Sequence, residues 1–213
     1  MYKKITEEVK NLAESKFAEW LKPFIHFNEY PNEILLGVRV PKLRTLAKKY
    51  KNIDFEIIKK LLQNNCHEFR QLALFIMILR TKTESEKICN LYLSNLNWIN
   101  NWDLVDSSAP HIIAPNVSKQ KLRELANSDY LWANRVAMVS TIYYIKQNDF
   151  SLTIEFAKKF MTHKSHFMHK ASGWMLREIG KKDEKVLKDF IQKYSAKMPS
   201  VMRNYATEKL RQK

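Results

Sequence analysis

Arg70-Gln71-Leu72-Ala73-Leu74-Phe75-Ile76-Met77-Ile78-Leu79 decides the fold. A polar start runs into an apolar segment in which Leu72, Phe75, Ile76 and Leu79 recur at helical spacing. The run from Leu72 to Leu79 is too short to span a bilayer, so it predicts a helix packed in a protein core. The same pattern appears on either side, in Ile58, Leu61 and Leu62 and again in Val136, Val139, Ile142 and Tyr143. No segment alternates polar and apolar residues long enough to make a strand. Only three glycines and six prolines punctuate the chain, which argues against the tight turns that sheets require.

Similar starts recur at Trp102-Asp103-Leu104-Val105, Arg135-Val136-Ala137, Lys170-Ala171 and Arg203-Asn204-Tyr205-Ala206, each 32 to 35 residues after the last. That step suits a pair of helices per unit. Tetratricopeptide and ankyrin consensus residues are absent, which leaves HEAT-like repeats. The expected fold is all-α: one domain over residues 1–213, curved into an α-solenoid whose inner helices line a concave basic face.

Lys and Arg number 37 against 22 Asp and Glu, a formal charge of +15. An excess of that size opposes compaction unless an anionic partner offsets it, and nucleic acid is the usual one. A generally Lys-rich composition is the ordinary alternative. The cations are spread over many units, at Lys42, Arg44, Lys48 and Lys49, at Lys119, Lys121 and Arg123, at Lys158 and Lys159, and at Lys181 and Lys182. Such residues usually form a solvated surface, but along a solenoid they could follow a phosphate backbone. Cys66 and Cys89 have no metal-like spacing, and Met1-Tyr2-Lys3-Lys4-Ile5 opens without a secretory apolar region. The chain therefore reads as a cytoplasmic protein with no membrane segment.

Three constellations stand out as chemistry. Trp102 and Asp106 lie at i and i+4, on one helix face. The packing alternative has Trp102 in the core and Asp103 or Asp106 capping a helix. Trp174 and Arg177 also share a face, and Gly173 beside them leaves room for a close approach; a core Trp with an exposed Arg177–Glu178 pair is the alternative. Arg135 opens the helix after Tyr130-Leu131-Trp132 and could fork onto a phosphate or a carboxylate. These positions fall near the same phase of successive repeats, so inner helices would set them side by side. His163, His166 and His169 cannot all face one ion from one helix, so no metal site is expected. Ser107 and Ser108 lack a nucleophile elbow, and no glycine loop exists to cradle a nucleotide phosphate.

Asn101-Trp102-Asp103-Leu104-Val105-Asp106, Trp132-Ala133-Asn134-Arg135 and Lys170-Ala171-Ser172-Gly173-Trp174-Met175-Leu176-Arg177-Glu178 resemble, in order and spacing, the AlkD-type DNA alkylation repair glycosylases. Leu36-Gly37-Val38-Arg39-Val40-Pro41 and Met198-Pro199 through Ala206 extend the resemblance over nearly the whole chain. It implies a monofunctional N-glycosylase that removes N3- or N7-alkylated purines from double-stranded DNA, as a monomer without cofactor or metal. By motif position Asp106 would be the catalytic carboxylate, Trp102 and Trp174 the aromatic pair bracketing the damaged nucleotide, and Arg135 a phosphate contact. Arg44, Lys170, Arg177 and Arg203 join Arg135 as candidate DNA-binding residues. Family members also place an N-terminal aromatic near the DNA; ungapped counting back from Gly37 puts that position near Asn28, between Phe27 and Tyr30. A DNA-structure binder without catalysis is the alternative within the family, and a protein scaffold is the alternative outside it.

Overall fold

The computed structural model describes residues 1–25 and 32–210. The named elements of the described residues are helices, and the chain divides into two compact units, Met1–Ile112 and Ile113–Lys213. Among the described residues no helix is long and apolar enough to cross a membrane.

The first unit comprises α1 (Tyr2–Lys10), α2 (Ser15–Leu21), α3 (Val40–Lys49), α4 (Phe55–Leu62), α5 (His67–Leu93) and α6 (Trp102–Ile112). Ile58, Leu61 and Leu62 bury the inner face of α4 against α5, whose Leu72, Phe75 and Ile76 are also buried. Leu79, placed on the same apolar face by periodicity, is exposed instead. At Glu84 the backbone of α5 leaves the helical region (φ −137°, ψ 38°). Beyond that kink Ile88, Cys89 and Tyr92 are buried, and α5 packs on both α4 and α6. Arg80 holds the bend, donating to the Glu84 carboxylate at 2.5 and 2.8 Å and to the Ile53 carbonyl at 2.6 Å. Two helical segments joined without a loop at the Glu84 kink therefore supply the second helix of one repeat and the first of the next.

Gly37 stands where α2 meets the stretch leading into α3. Its φ of +76° is disfavoured for other residues, and a Cβ there would lie 2.4 Å from the Glu14 carbonyl oxygen and 2.5 Å from the Ala18 nitrogen. The carboxylate of buried Glu68 accepts the backbone N–H groups of Leu36, Gly37 and Val38, so this turn is locked onto the start of α5.

The second unit comprises α7 (Lys119–Ala126), α8 (Leu131–Ser140), α9 (Ile142–Lys146), α10 (Ser151–Phe160), α11 (His166–Lys182), α12 (Glu184–Tyr194) and α13 (Ser200–Thr207). Side chains of Ser118, Ser165 and Asp183 cap α7, α11 and α12 by accepting backbone N–H bonds. Helix α11 is central and touches α8, α9, α10, α12 and α13. The helical phase of Val136 and Val139 does not carry on to Tyr143, which is exposed, because α8 ends at Ser140 and a new helix begins at Ile142.

The repeat starts read from sequence each fall in the first turns of a helix: Arg70 in α5, Trp102 in α6, Arg135 in α8, Lys170 in α11 and Arg203 in α13. The helical-repeat reading of the sequence therefore matches the structure. Gly173 serves a different purpose from the open approach expected of it. A Cβ there would meet the Met202 carbonyl oxygen at 2.4 Å and Tyr205 Cβ at 2.6 Å, so the glycine is what lets α13 lie against α11. Gly173→Ala is expected to lower stability by about 2 kcal/mol, because the obstacle is backbone and cannot rotate away. A thermal melt followed by circular dichroism checks this; an unchanged melting temperature would show that α13 shifts freely.

Candidate DNA-processing site

Trp102 begins α6, and Asp106 follows one turn later. Both are half-exposed, while Leu104, Val105, Ser108, Ala109 and Ile112 fill the buried face of the helix. The i, i+4 pair thus shares the outer face that the sequence predicts. Asp106 also lies close enough to Tyr92 for its charge to be felt there. Burial pushes the Tyr92 phenol above its ordinary range; the Ser108 bond at 3.1 Å works against that, and the Asp106 carboxylate adds to it.

The first turn of α6 is held from two sides. On one side Asn101 Nδ2 donates to the Ile25 carbonyl at 2.6 Å and the Trp102 indole Nε1 donates to the Phe24 carbonyl at 2.7 Å. The Asn101 side-chain oxygen also accepts the Trp102 backbone N–H, closing the helix start. On the other side Asp103 Oδ2 accepts from His67 Nε2 at 2.7 Å and from Gln71 Nε2 at 3.3 Å, both on α5. His67 Nδ1 bonds Glu33 Oε1 at 2.8 Å, and the same oxygen pairs with Arg70. Glu33, His67 and Arg70 are all buried. Two carboxylates and two cations balance in this cluster, as burial of charge demands.

An imidazole with a carboxylate oxygen on each nitrogen must donate twice, which only the imidazolium can do. Burial alone would lower the pKa of His67, but Asp103 and then Glu33 outweigh it and raise the value to about 10 from an ordinary 6.5. A histidine with a raised folded-state pKa contributes stability that is full below the unfolded value of 6.5 and is lost as pH rises through 10. Between pH 7 and pH 9 the loss from this one proton is expected to be about 2 kcal/mol. Urea unfolding at those two pH values, on the wild type and on His67→Gln, tests it; an equal pH slope in both proteins would refute the assignment.

An aromatic group that sequence reading missed lies on the surface of the first unit. Arg39 sits 4.3 Å above the Phe17 ring, Phe17 stacks on Trp20 at 5.5 Å, and Trp20 meets Phe24 at 4.8 Å. Trp20 and Phe24 are 60% and 51% exposed. Beside them is a groove of about 740 Å³ lined by Ala13, Glu14, Ser15, Lys16, Phe17, Trp20 and Arg39. The aromatics at i, i+3 and i+7 carried a signal, but that spacing equally suits a core face. Phe27, Asn28 and Tyr30, around which the N-terminal aromatic was expected, lie outside the described residues.

In the second unit Trp174 is half-exposed on α11 and donates its indole N–H to Glu178 at 3.1 Å. Arg177, one turn along, pairs with Glu208 beyond α13 rather than with its neighbour Glu178, which pairs with Lys181. Arg135 is only 4% exposed, and its Nη1 donates to the Phe167 carbonyl at 2.6 Å, tying α8 to the first turn of α11. Lys170 is half-exposed and Arg203 exposed. Arg44, in the first unit, is exposed with its guanidinium 4.4 Å above Phe75. Several cations of the basic runs already face carboxylates: Lys42 with Glu14, Lys119 with Asp149, Lys121 with Glu124 and Arg123 with Glu155. Surface pairs of this kind contribute little and open readily to a competing anion.

A family model described as DNA alkylation repair enzyme matches residues 5–210. Among solved structures, a predicted DNA alkylation repair enzyme from Enterococcus faecalis aligns with a TM-score of 0.73 at 14% identity, covering 92% of this chain and 95% of that one. AlkD2 from Streptococcus mutans aligns with a TM-score of 0.59 at 20% identity, covering 91% and 97%. At such identities the likeness shows a shared helical-repeat fold. A comparison with curated proteins finds no match. The family match runs through both units and every constellation described above, and the chain belongs to the DNA alkylation repair enzyme family.

Proposed function

We propose that the protein is an N-glycosylase that releases N3- or N7-alkylated purines from duplex DNA without metal or cofactor. The observation that carries this reading is the half-exposed Asp106 carboxylate one turn beyond the half-exposed Trp102 indole, on a protein of charge +15 in a DNA repair family. A surface so basic draws in a polyanion, and a carboxylate facing it has no use in phosphate binding.

An alkylated N3 or N7 gives the purine a formal positive charge, so it leaves without a general acid. The C1′–N bond breaks with its electron pair going to the base, which departs neutral, and positive charge passes to the deoxyribose. Asp106 stabilises that charge and orients the water that adds at C1′; the water's proton passes to the carboxylate or to solvent. The face of Trp102 adds about 1–2 kcal/mol toward a cation where water is excluded, and by motif position Trp174 is the second aromatic of the family's pair. Arg44, Lys170 and Arg203 supply phosphate contacts from the surface. Arg177 reaches a phosphate by opening its pair with the exposed Glu208. Arg135 takes part from beneath, through the turn of α11 that it holds and that carries Lys170.

A second reading, binding of branched or damaged duplex without excision, draws on the exposed Trp20 and Phe24, which suit stacking on unpaired bases. One experiment separates the two. Methylated duplex is incubated with the protein in EDTA, released bases are resolved by chromatography, and DNA affinity is measured across salt concentrations. Release of 3-methyladenine or 7-methylguanine is the expected result. No release with a steep loss of affinity in salt selects the second reading, and no salt-dependent binding at all rejects both.

A further inference from the structure

We propose that His67 and Asp103 act as positioning residues, a buried clamp that fixes the first turn of α6 and so places Trp102 and Asp106 for base release. This deepens the glycosylase reading above and rests on it. Asp103 bonds two side chains of α5, and it stands between Trp102 and Asp106. Its Oδ1 accepts the Leu104 N–H at 2.8 Å while Oδ2 is held by His67 and Gln71, so helix start and α5 share one carboxylate. His67 is in turn fixed by Glu33, and Glu33 by Arg70. These are the charged groups that face His67: Asp103 from α6, Glu33 from the segment before α3, and Arg70 from its own helix. The opposite side of the turn is held through Asn101 and Trp102, to the backbone at Phe24 and Ile25. Without the clamp the turn can pivot on that edge. A displacement of about 1 Å at a reacting group lowers the rate by roughly 100-fold without weakening remote binding contacts.

The test uses His67→Gln and, because the first could fold poorly, Asp103→Ser, whose hydroxyl can still accept the Leu104 N–H while the oxygen that faces His67 is removed. Single-turnover base release at saturating protein is measured beside DNA affinity. Both variants are expected to slow release about 30- to 100-fold with affinity within threefold of wild type. The double variant is expected to lose no more than the worse single one, since both break the same clamp. A second readout is independent of activity: exchange of the Trp102 indole N–H in ¹⁵N spectra, assigned with Trp102→Phe. It is expected to quicken at least tenfold in both variants while the Trp132 indole, in the other unit, is unchanged. Unslowed release with an unchanged Trp102 indole would overturn the clamp. If the wild type releases no base, the glycosylase reading fails, and the indole exchange alone decides whether the clamp holds α6.

Discussion

Asp106→Asn is expected to bind methylated duplex as the wild type does and to release alkylpurine roughly 100-fold more slowly, about 2.7 kcal/mol in barrier. The change is near-isosteric and removes the charge. Asp106 contributes nothing to the apolar face of α6, which is built from Leu104, Val105, Ser108, Ala109 and Ile112, so the fold should be untouched. Affinity should hold or rise slightly, because a negative charge facing phosphates is lost. Equal release by the variant would place the catalytic carboxylate elsewhere. A matched fall in affinity would mean that Asp106 orders the surface rather than stabilising the cationic sugar.

Arg70→Ala is expected to destabilise the first unit by about 3–5 kcal/mol, measured by urea unfolding. Arg70 and Glu33 are 2% and 7% exposed, so truncating the guanidinium leaves the buried Glu33 carboxylate with His67, which also serves Asp103. Removing both charges, in Arg70→Met with Glu33→Gln, should be milder than removing one, since no buried charge is left alone. If the double variant is the worse of the two, the cluster stabilises through its packing rather than its balance of charge.

Much of the architecture was legible because a helix repeats every few residues and a helical repeat every 33 or so. Arg70, Trp102, Arg135, Lys170 and Arg203 mark the first turns of five helices, and local periodicity was enough to find them. The shared face of Trp102 and Asp106 follows from helix geometry alone. Other features depend on partners some 30 residues away in sequence. Glu33, His67 and Asp103 look like ordinary solvated residues until the chain brings them together. Gly173 read as an opening because nothing local shows α13 returning to fill it. Arg135 read as a phosphate contact because its depth is set by α11, whose Phe167 carbonyl it holds. The pairing of Arg177 with Glu178, the packing alternative offered by the sequence, does not form, because successive residues on a helix point apart; the Arg177 carboxylate comes from Glu208.

The bend at Glu84 makes the distance between Arg70 and Leu93 a gauge length. Where two repeats meet through a loop, an added residue is absorbed as slack. Here no loop intervenes before Leu93, and one residue inserted after Glu84 would rotate Ile88, Cys89 and Tyr92 about 100° around the helix axis. Tyr92 would lose Ser108, and the end of α5 would no longer seat α6. Length variation should therefore be excluded from this joint and tolerated at the turns between α7 and α8 or α10 and α11, so that the helix bearing Trp102 and Asp106 is indexed by counting residues.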